Sequence, residues 1–138
     1  MKTTAGYSGT PLWKKLGYKS GVAAYVEGAP EQYWEWLDLP KDVGVTWSEP
    51  LLLGAEFIHL FCLSESKLRS ALKSYRRKVS PHGVVWVSWP KKSSRVATDI
   101  TEDVIREVSL PLGFVDIKVC AVNEVWSGLK LMIRKEQR

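Results

Sequence analysis

The segment between residues 90 and 99 is the richest part of the chain in side chains able to bind a ligand. The groups that could contact a ligand are Lys91, Lys92, Ser93, Ser94, Arg95 and Asp99. Two lysines and an arginine near the start of a predicted helix would bind a phosphate or carboxylate group, because the helix N-terminus adds positive potential. Asp99 and Glu102 have capping-box spacing, and for these two carboxylates we favour the simpler role of capping that helix.

Three other segments are predicted to meet this loop at the carboxyl edge of a parallel sheet: 27–31, 63–66 and 123–128. Trp126 and Ser127 would line the same crevice as Trp89, although tryptophan at a strand end more often serves packing. No general base or other catalytic residue is assigned. The candidate ligand-binding residues are Gly28, Trp89, Lys91, Lys92, Asp99, Trp126 and Ser127.

The histidines and cysteines show no spacing typical of a metal or catalytic site. His59 lies inside an apolar run and is interpreted as a hydrogen-bonded core residue, whereas His82 lies in a Pro-Gly turn and should be exposed. Neither has a Ser, Cys or carboxylate neighbour in the sequence that suggests a triad. Cys62 and Cys120 also lie in apolar runs, which predicts buried free thiols in a reducing compartment.

A predicted helix over residues 65–79 is strongly basic. Binding of RNA or DNA by this helix is one alternative function. A solvated face is favoured, because three consecutive cations lie in the last turn, where they oppose the helix dipole, and no aromatic residues are interleaved with them. The helix carries one acid, Glu65, against Lys67, Arg69, Lys73, Arg76, Arg77 and Lys78.

The composition predicts one globular domain over residues 1–138, with residues 1–9 loosely ordered. Hydrophobic residues make up 45% and charged residues 25% of the chain, which excludes a disordered polypeptide. The net charge of +5 permits a small anionic partner without requiring one. No apolar run spans a bilayer and no signal peptide is recognisable, so a cytoplasmic location without membrane contact is expected. Seven tryptophans and an edge strand leave homodimerisation open.

Two apolar runs predict the strands that position the candidate site. Residues 56–63 and 84–89 are nearly continuously hydrophobic, as in parallel strands covered on both faces. Pro81-His82-Gly83 is predicted to be a turn ahead of the second run. The remaining predicted elements are strands at 22–27 and 43–47 and helices at 12–16, 31–37, 65–79 and 100–112.

The C-terminal segments 114–122 and 129–134 alternate apolar and polar residues, which predicts an antiparallel hairpin. Val115, Ile117, Val119 and Ala121 are expected on one face of it. Strands that alternate with helices favour a parallel sheet wound by right-handed crossovers. The predicted fold class is α/β: a Rossmann-like three-layer domain with a mostly parallel sheet of about six strands and a C-terminal antiparallel hairpin.

Residues 56–134 resemble the second half of a class I methyltransferase. The segment Lys78-Val79-Ser80-Pro81-His82-Gly83 is similar to the Leu-Lys-Pro-Gly-Gly approach to that family's fifth strand. The resemblance implies a Rossmann-like fold and, in that family, S-adenosylmethionine bound by an acidic-Gly-x-Gly-x-Gly turn after the first strand. Here that turn is Glu27-Gly28-Ala29-Pro30-Glu31, with one glycine and a proline that lacks an N–H, so this cofactor is disfavoured. Glu49 would stand in for the family's ribose-binding acid, and residues 63–66 replace its Asp/Asn-Pro-Pro-Tyr motif.

Four motifs resemble a bacterial family of domains of unknown function, over almost the whole chain. They are Gly6-Tyr7-Ser8-Gly9-Thr10-Pro11-Leu12, Trp86-Val87-Ser88-Trp89-Pro90-Lys91-Lys92, Ala97-Thr98-Asp99 and Trp126-Ser127-Gly128-Leu129-Lys130. This resemblance implies a shared fold and no activity. The leading hypothesis is a non-catalytic Rossmann-like binding or regulatory domain with a degenerate cofactor-binding turn. A divergent S-adenosylmethionine-type transferase that uses the carboxyl edge of the sheet is the alternative.

Overall fold

A computed structural model of the chain describes residues 9–138. Residues 1–9 were expected to be loosely ordered, and of these residues 1–8 lie outside the described residues. The helices are α1 (Leu12–Leu16), α2 (Tyr33–Leu37), α3 (Glu65–Lys78) and α4 (Glu102–Ser109). The strands are β1 (Ala23–Glu27), β2 (Thr46–Trp47), β3 (Ala55–Phe61), β4 (Val79–Pro90), β5 (Phe114–Ala121) and β6 (Trp126–Ile133). Single 3₁₀ turns cover Lys92–Ser94, Leu110–Leu112 and Lys135–Gln137. No helix within residues 9–138 is long and apolar enough to cross a membrane.

The strands form one sheet in the order β2-β1-β3-β4-β6-β5. Strands β1 to β4 pair in parallel, whereas β6 runs antiparallel to both β4 and β5. The two apolar runs therefore lie side by side and point the same way, as predicted. This topology confirms the predicted fold class.

Helices cover both faces of the sheet and give the domain its two core clusters. On one face α3 and α4 bury Leu72 and Ile105 against the sheet. On the other face α1 and α2 cover Trp86, whose indole Nε1 donates a 2.7 Å hydrogen bond to the backbone oxygen of Leu16. Because both faces are covered, β3 from Phe57 onward and β4 from Val84 onward are mainly apolar.

The predicted turn at Pro81-His82-Gly83 is wrong, because these residues lie inside β4. The pairing of β3 with β4 advances from Ala55–Val79 to Phe57–Val84, two residues along β3 but five along β4. The extra residues form a wide bulge, which keeps the strand continuous while turning these side chains out of the regular pleat.

The C-terminal hairpin is confirmed, but its predicted face assignment is wrong. A bulge at Ile117 shifts the register between β5 and β6, so that Val115 pairs with Met132 while Val119 pairs with Leu129. Val115 and Val119 therefore lie on opposite faces, since one inserted residue reverses the alternation. The hairpin turn is also shorter than predicted, because β6 already begins at Trp126.

Candidate functional site

The loop that leaves β4 encloses a crevice against α4, which we call the β4–α4 crevice. It has a volume of about 480 Å³. Its polar wall consists of Lys91, Lys92, Arg95, Thr98, Thr101 and Glu102, and its apolar wall of Trp89, Pro90, Val96, Ala97 and Ile100. Three of the seven predicted ligand-binding residues, Trp89, Lys91 and Lys92, therefore line one cavity at the carboxyl end of a parallel strand.

The three cations of this crevice have no partner among residues 9–138. No hydrogen bond or ion pair joins the side chain of Lys91, Lys92 or Arg95 to another described residue. The loop itself is well anchored, because the Lys91 N–H bonds to Val125 O at 2.7 Å and Ser94 Oγ bonds to Lys91 O at 2.6 Å. An anchored loop with unpaired cations is suited to binding an anion.

Arg95 adopts a left-handed backbone conformation, with a φ of 62°. This region costs a non-glycine residue about 1–2 kcal/mol. Strained residues of this kind cluster at ligand-binding loops. Nothing in the sequence indicated this conformation, because glycine or asparagine is the usual residue at a left-handed position that ends a helical turn.

Asp99 does not cap α4 and does not line the crevice, contrary to the prediction. Its Oδ1 accepts a 2.7 Å hydrogen bond from the backbone N–H of Glu65, at the start of α3. The cap of α4 is Thr101, whose Oγ1 accepts from the N–H of Val104 at 3.1 Å. Asp99 therefore ties the loop after β4 to the loop after β3 and stabilises the first turn of α3.

Trp126 lies on the opposite face of the sheet from Trp89. The pairing of β4 with β6 aligns Trp89 with Ser127 and Pro90 with Trp126, so the two indoles point to different layers. Trp126 packs edge-to-face on Phe61, with ring centroids 5.1 Å apart. The structure therefore separates Trp126 from the crevice, and the single shared groove predicted for all seven residues is wrong.

Gly28 follows β1 with a φ of 76°, in the left-handed region. A Cβ at this position would lie 2.4 Å from the backbone oxygen of Phe61. Glycine is thus required by the close approach of the β1 turn to β3. The space that a glycine-rich turn would leave for a ligand is occupied here by protein backbone.

The carboxylate of Glu27, at the end of β1, is fully engaged by neighbouring side chains. Tyr75 and Tyr25 donate hydrogen bonds of 2.5 and 3.1 Å to its Oε1, and Lys67 bonds to its Oε2. Burial alone would raise the pKa of Glu27, but the bonds from Lys67, Tyr75 and Tyr25 hold it below its usual value. The acid therefore stabilises the packing of α3 on β1.

These observations show that the chain does not fit S-adenosylmethionine in the usual mode of the methyltransferases it resembles. The acid after β1 is engaged by α3, the one glycine of the turn packs on Phe61, and Pro30 supplies no N–H. The helix after the turn, α2, has only five residues. Glu49 follows β2 and is exposed. Among the positions at which the methyltransferases contact the cofactor, it is therefore the one whose carboxylate stays accessible here.

A buried polar chain beneath the carboxyl edge was missed by the sequence analysis. His59 Nε2 lies 2.7 Å from Ser88 Oγ, His59 Nδ1 lies 2.8 Å from the Tyr33 hydroxyl, and that hydroxyl lies 2.7 Å from the hydroxyl of Tyr18. Burial lowers the pKa of His59 to about 3, so the ring is neutral. Both His59 and Ser88 are wholly buried, so this Ser–His pair is closed to any substrate.

One signal in the sequence could have revealed this pair. His59 and Ser88 are the polar residues within the two apolar runs 57–61 and 84–89, and buried polar groups are nearly always hydrogen-bonded. Two such residues in neighbouring strands are therefore expected to meet. The interpretation of His59 as a hydrogen-bonded core residue agrees with the observed contacts.

Most cations of α3 are engaged within the protein. Lys67 bonds to Glu27, Arg69 to Glu65, Arg76 to the backbone oxygen of Leu112, and Lys78 to that of Leu51. Few of its charges are left for a nucleic acid.

The cysteines and acids show no metal-binding arrangement in the described part of the chain. No group of three or more His, Cys, Asp or Glu side chains there is arranged to hold a metal ion. Cys62 is a buried free thiol whose pKa burial raises to about 12, and Cys120 is a half-buried free thiol.

Comparison with solved structures shows a methyltransferase-like fold. The chain is similar to a SAM-dependent methyltransferase from Aquifex aeolicus, with a TM-score of 0.62 and 16% identity over 88% of this chain and 87% of that one. It is also similar to a TehB-like SAM-dependent methyltransferase from Corynebacterium glutamicum, with a TM-score of 0.56 and 10% identity over 88% and 85% of the two chains. At these identities the likeness establishes the fold alone.

A third similar structure is LepI in complex with SAM, with a TM-score of 0.56 and 10% identity. The match covers 91% of this chain but only 47% of LepI, so the chain spans about half the length of that protein. No protein-family model matches the sequence, and no curated protein matches it. The resemblance to a bacterial family of domains of unknown function therefore stays a prediction.

Proposed function

We propose that this domain binds a small anionic ligand in the β4–α4 crevice and catalyses no reaction on it. The observation that carries the proposal is the set of three unpaired cations, Lys91, Lys92 and Arg95, around one cavity of about 480 Å³. An anion with a planar or apolar body fits this lining, because Trp89, Val96 and Ile100 supply the apolar wall.

The closed turn after β1 supports a binding role over transfer chemistry. Glu27 and Gly28, which would contact a cofactor at the centre of a Rossmann-like sheet, are both used for internal packing. The buried Ser88–His59 pair is inaccessible, and no other described residue near the crevice forms a nucleophile–base pair. The accessible charged groups at this edge bind anions and supply no evident acid–base chemistry.

Thermal unfolding with adenosine monophosphate (AMP) as the probe, and adenosine as its uncharged match, tests the proposal. A ligand at roughly 100 times its Kd stabilises the native state by about 2.7 kcal/mol, so AMP should raise the Tm while adenosine should not. The double variant Lys91→Met, Lys92→Met should abolish the shift. Lys41→Met, an exposed lysine of the β1–β2 connection, is the matched control and should retain it. Equal shifts with AMP and adenosine, or a shift that persists in the double variant, would contradict the proposal.

A second candidate, a divergent S-adenosylmethionine-type transferase, is favoured by the fold alone. Its discriminating measurement is calorimetric titration of the protein with S-adenosylmethionine. Binding that is weakened by Glu49→Gln, together with methyl transfer to any cellular fraction, would establish this candidate in place of the first. Under the binding-domain proposal Glu49→Gln leaves any binding of S-adenosylmethionine unchanged, and no methyl group is transferred.

A further inference from the structure

A second cavity lies at the opposite end of the parallel strands from the β4–α4 crevice, and we call it the amino-edge cavity. It encloses about 320 Å³ between the end of α1 and the start of β1, β3 and β4. Its polar lining consists of Lys19, Glu56, Ser80, His82 and Lys130. The wide bulge of β4 supplies two of these side chains, Ser80 and His82, so the irregularity that displaced the predicted turn shapes the cavity wall.

The charges of this cavity are poorly balanced within the protein. The side chains of Lys19 and Lys130 form no hydrogen bond or ion pair with any residue between 9 and 138. The acid of the lining, Glu56, is directed to β1, where its Oε1 accepts a 2.9 Å hydrogen bond from the N–H of Ala23. Two unpaired ammonium groups therefore share the cavity with one partly engaged carboxylate.

Lys130 carries an additional unfavourable contact. It lies directly opposite Lys118 in the pairing of β5 with β6, and like charges at opposed positions of neighbouring strands destabilise a sheet. Burial lowers the pKa of Lys130, and the ammonium group of Lys118 lowers it further. A bound anion would relieve both effects, because it replaces lost hydration and offsets the repulsion.

We propose that the amino-edge cavity is an anion-binding site, in which Lys130 and Lys19 bind a phosphate or carboxylate group while Ser80 and His82 add hydrogen-bond donors. Lysine suits this role as a point charge with three rotatable donors. The site is distinct from the β4–α4 crevice, since it opens at the other end of the strands and shares no lining residue with it. The two proposals therefore stand or fall separately.

Amide chemical shifts distinguish the two sites within one experiment. A ¹⁵N-labelled sample is titrated with sodium phosphate, and in a parallel arm with sodium acetate, while sodium chloride keeps the ionic strength constant. We expect saturable shifts at the amides of Ser80, His82 and Gly83, and the arm that produces them identifies the group as phosphate or carboxylate. Chemical-shift changes at the amides of residues 91–101 report binding in the β4–α4 crevice and are not evidence for binding in the amino-edge cavity.

The variants decide whether the lysines hold the anion. Lys130→Met keeps the length of the side chain and should raise the apparent Kd by about tenfold, the effect of losing one hydrogen bond to a charged group. Lys19→Met, at an exposed position that cannot disturb the core, should weaken binding in the same direction. Lys73→Met, exposed on α3, should leave the Kd unchanged. Absence of saturable shifts at residues 80–83 in both arms, or an affinity unaffected by Lys130→Met and Lys19→Met, overturns the proposal.

Discussion

Burial of the His59 ring makes the stability of this domain depend on pH well above the range in which carboxylates titrate. The ring is wholly buried, and both nitrogens are hydrogen-bonded to hydroxyl groups, of Tyr33 and Ser88. Hydroxyl groups can accept from a protonated ring, but neither carries a negative charge that would compensate it. Burial therefore lowers the pKa of His59 to about 3, against 6.5 for a free side chain.

The direction and size of the effect follow from proton binding. Between pH 6.5 and pH 3 the unfolded chain holds a proton on this histidine that the folded protein excludes, so stability falls as the pH falls. The slope approaches roughly 1.4 kcal/mol per pH unit. Integrated from pH 6.5 down to pH 4.5, the loss is about 2 kcal/mol. Glu27 and Asp116, whose pKa values are lowered in the fold, stabilise it above their unfolded pKa values and add to the loss only below about pH 4.5.

Urea unfolding followed by tryptophan fluorescence at several pH values between 4.5 and 7.5 measures this loss. The double variant His59→Phe, Ser88→Ala removes the titrating ring and the hydroxyl it bonds, and leaves Tyr33 paired with Tyr18. Its free energy of unfolding should change by less than about 0.5 kcal/mol over the same interval. His59→Gln, which retains a hydrogen-bonding side chain, is a second variant without the titration. A wild-type protein whose stability is flat between these pH values, or variants that lose as much as wild type, would refute the reasoning.

Three further substitutions test the loop after β4 and the turn after β1. Asp99→Ala removes the acceptor for the first turn of α3 and should cost about 1 kcal/mol in urea unfolding, whereas Asp103→Ala, in an exposed ion pair, should cost less than about 0.5 kcal/mol; equal losses would contradict the capping role. Gly28→Ala adds a methyl group 2.4 Å from a backbone oxygen to the strain of a positive φ and should lower the Tm well below that of Gly21→Ala, where the φ is 85° and the space is open; similar Tm values would contradict it. Arg95→Gly relieves backbone strain and should raise the free energy of unfolding by up to about 1 kcal/mol while weakening AMP binding, and a lower free energy of unfolding would argue against strain at this position.

The order and direction of the central strands could be predicted because they follow from the hydrophobic pattern within each strand. Residues 56–63 and 84–89 are apolar on both faces, and only a sheet covered by helices on both sides accommodates such runs. The cation-rich crevice could be predicted for the same reason, since Lys91 and Lys92 directly follow the second run. When the end of a strand is predicted correctly, the residues that directly follow it are placed correctly as well.

The remaining features depend on pairings between distant residues. Asp99 caps a helix that begins 34 residues earlier in the chain, a contact that no spacing rule indicates. The bulges near Gly83 and at Ile117 each change which face the following residues occupy, so a strictly alternating pattern gives the wrong assignment beyond them. Trp126 was misplaced through the same kind of error, because its face depends on the β4–β6 register.

The two ends of the parallel strands show how this domain departs from the enzymes whose fold it shares. In a Rossmann-like sheet the outgoing loops of the central strands normally form the ligand site. Here the turn after β1 packs on Phe61 and its acid is engaged by α3, so the centre of that edge is closed by the protein itself. Unpaired cations line the β4–α4 crevice and the amino-edge cavity instead. Among the lysines of these two cavities, Lys130 is the one disfavoured by burial and by the facing ammonium group of Lys118, so an anion bound beside it would stabilise the fold.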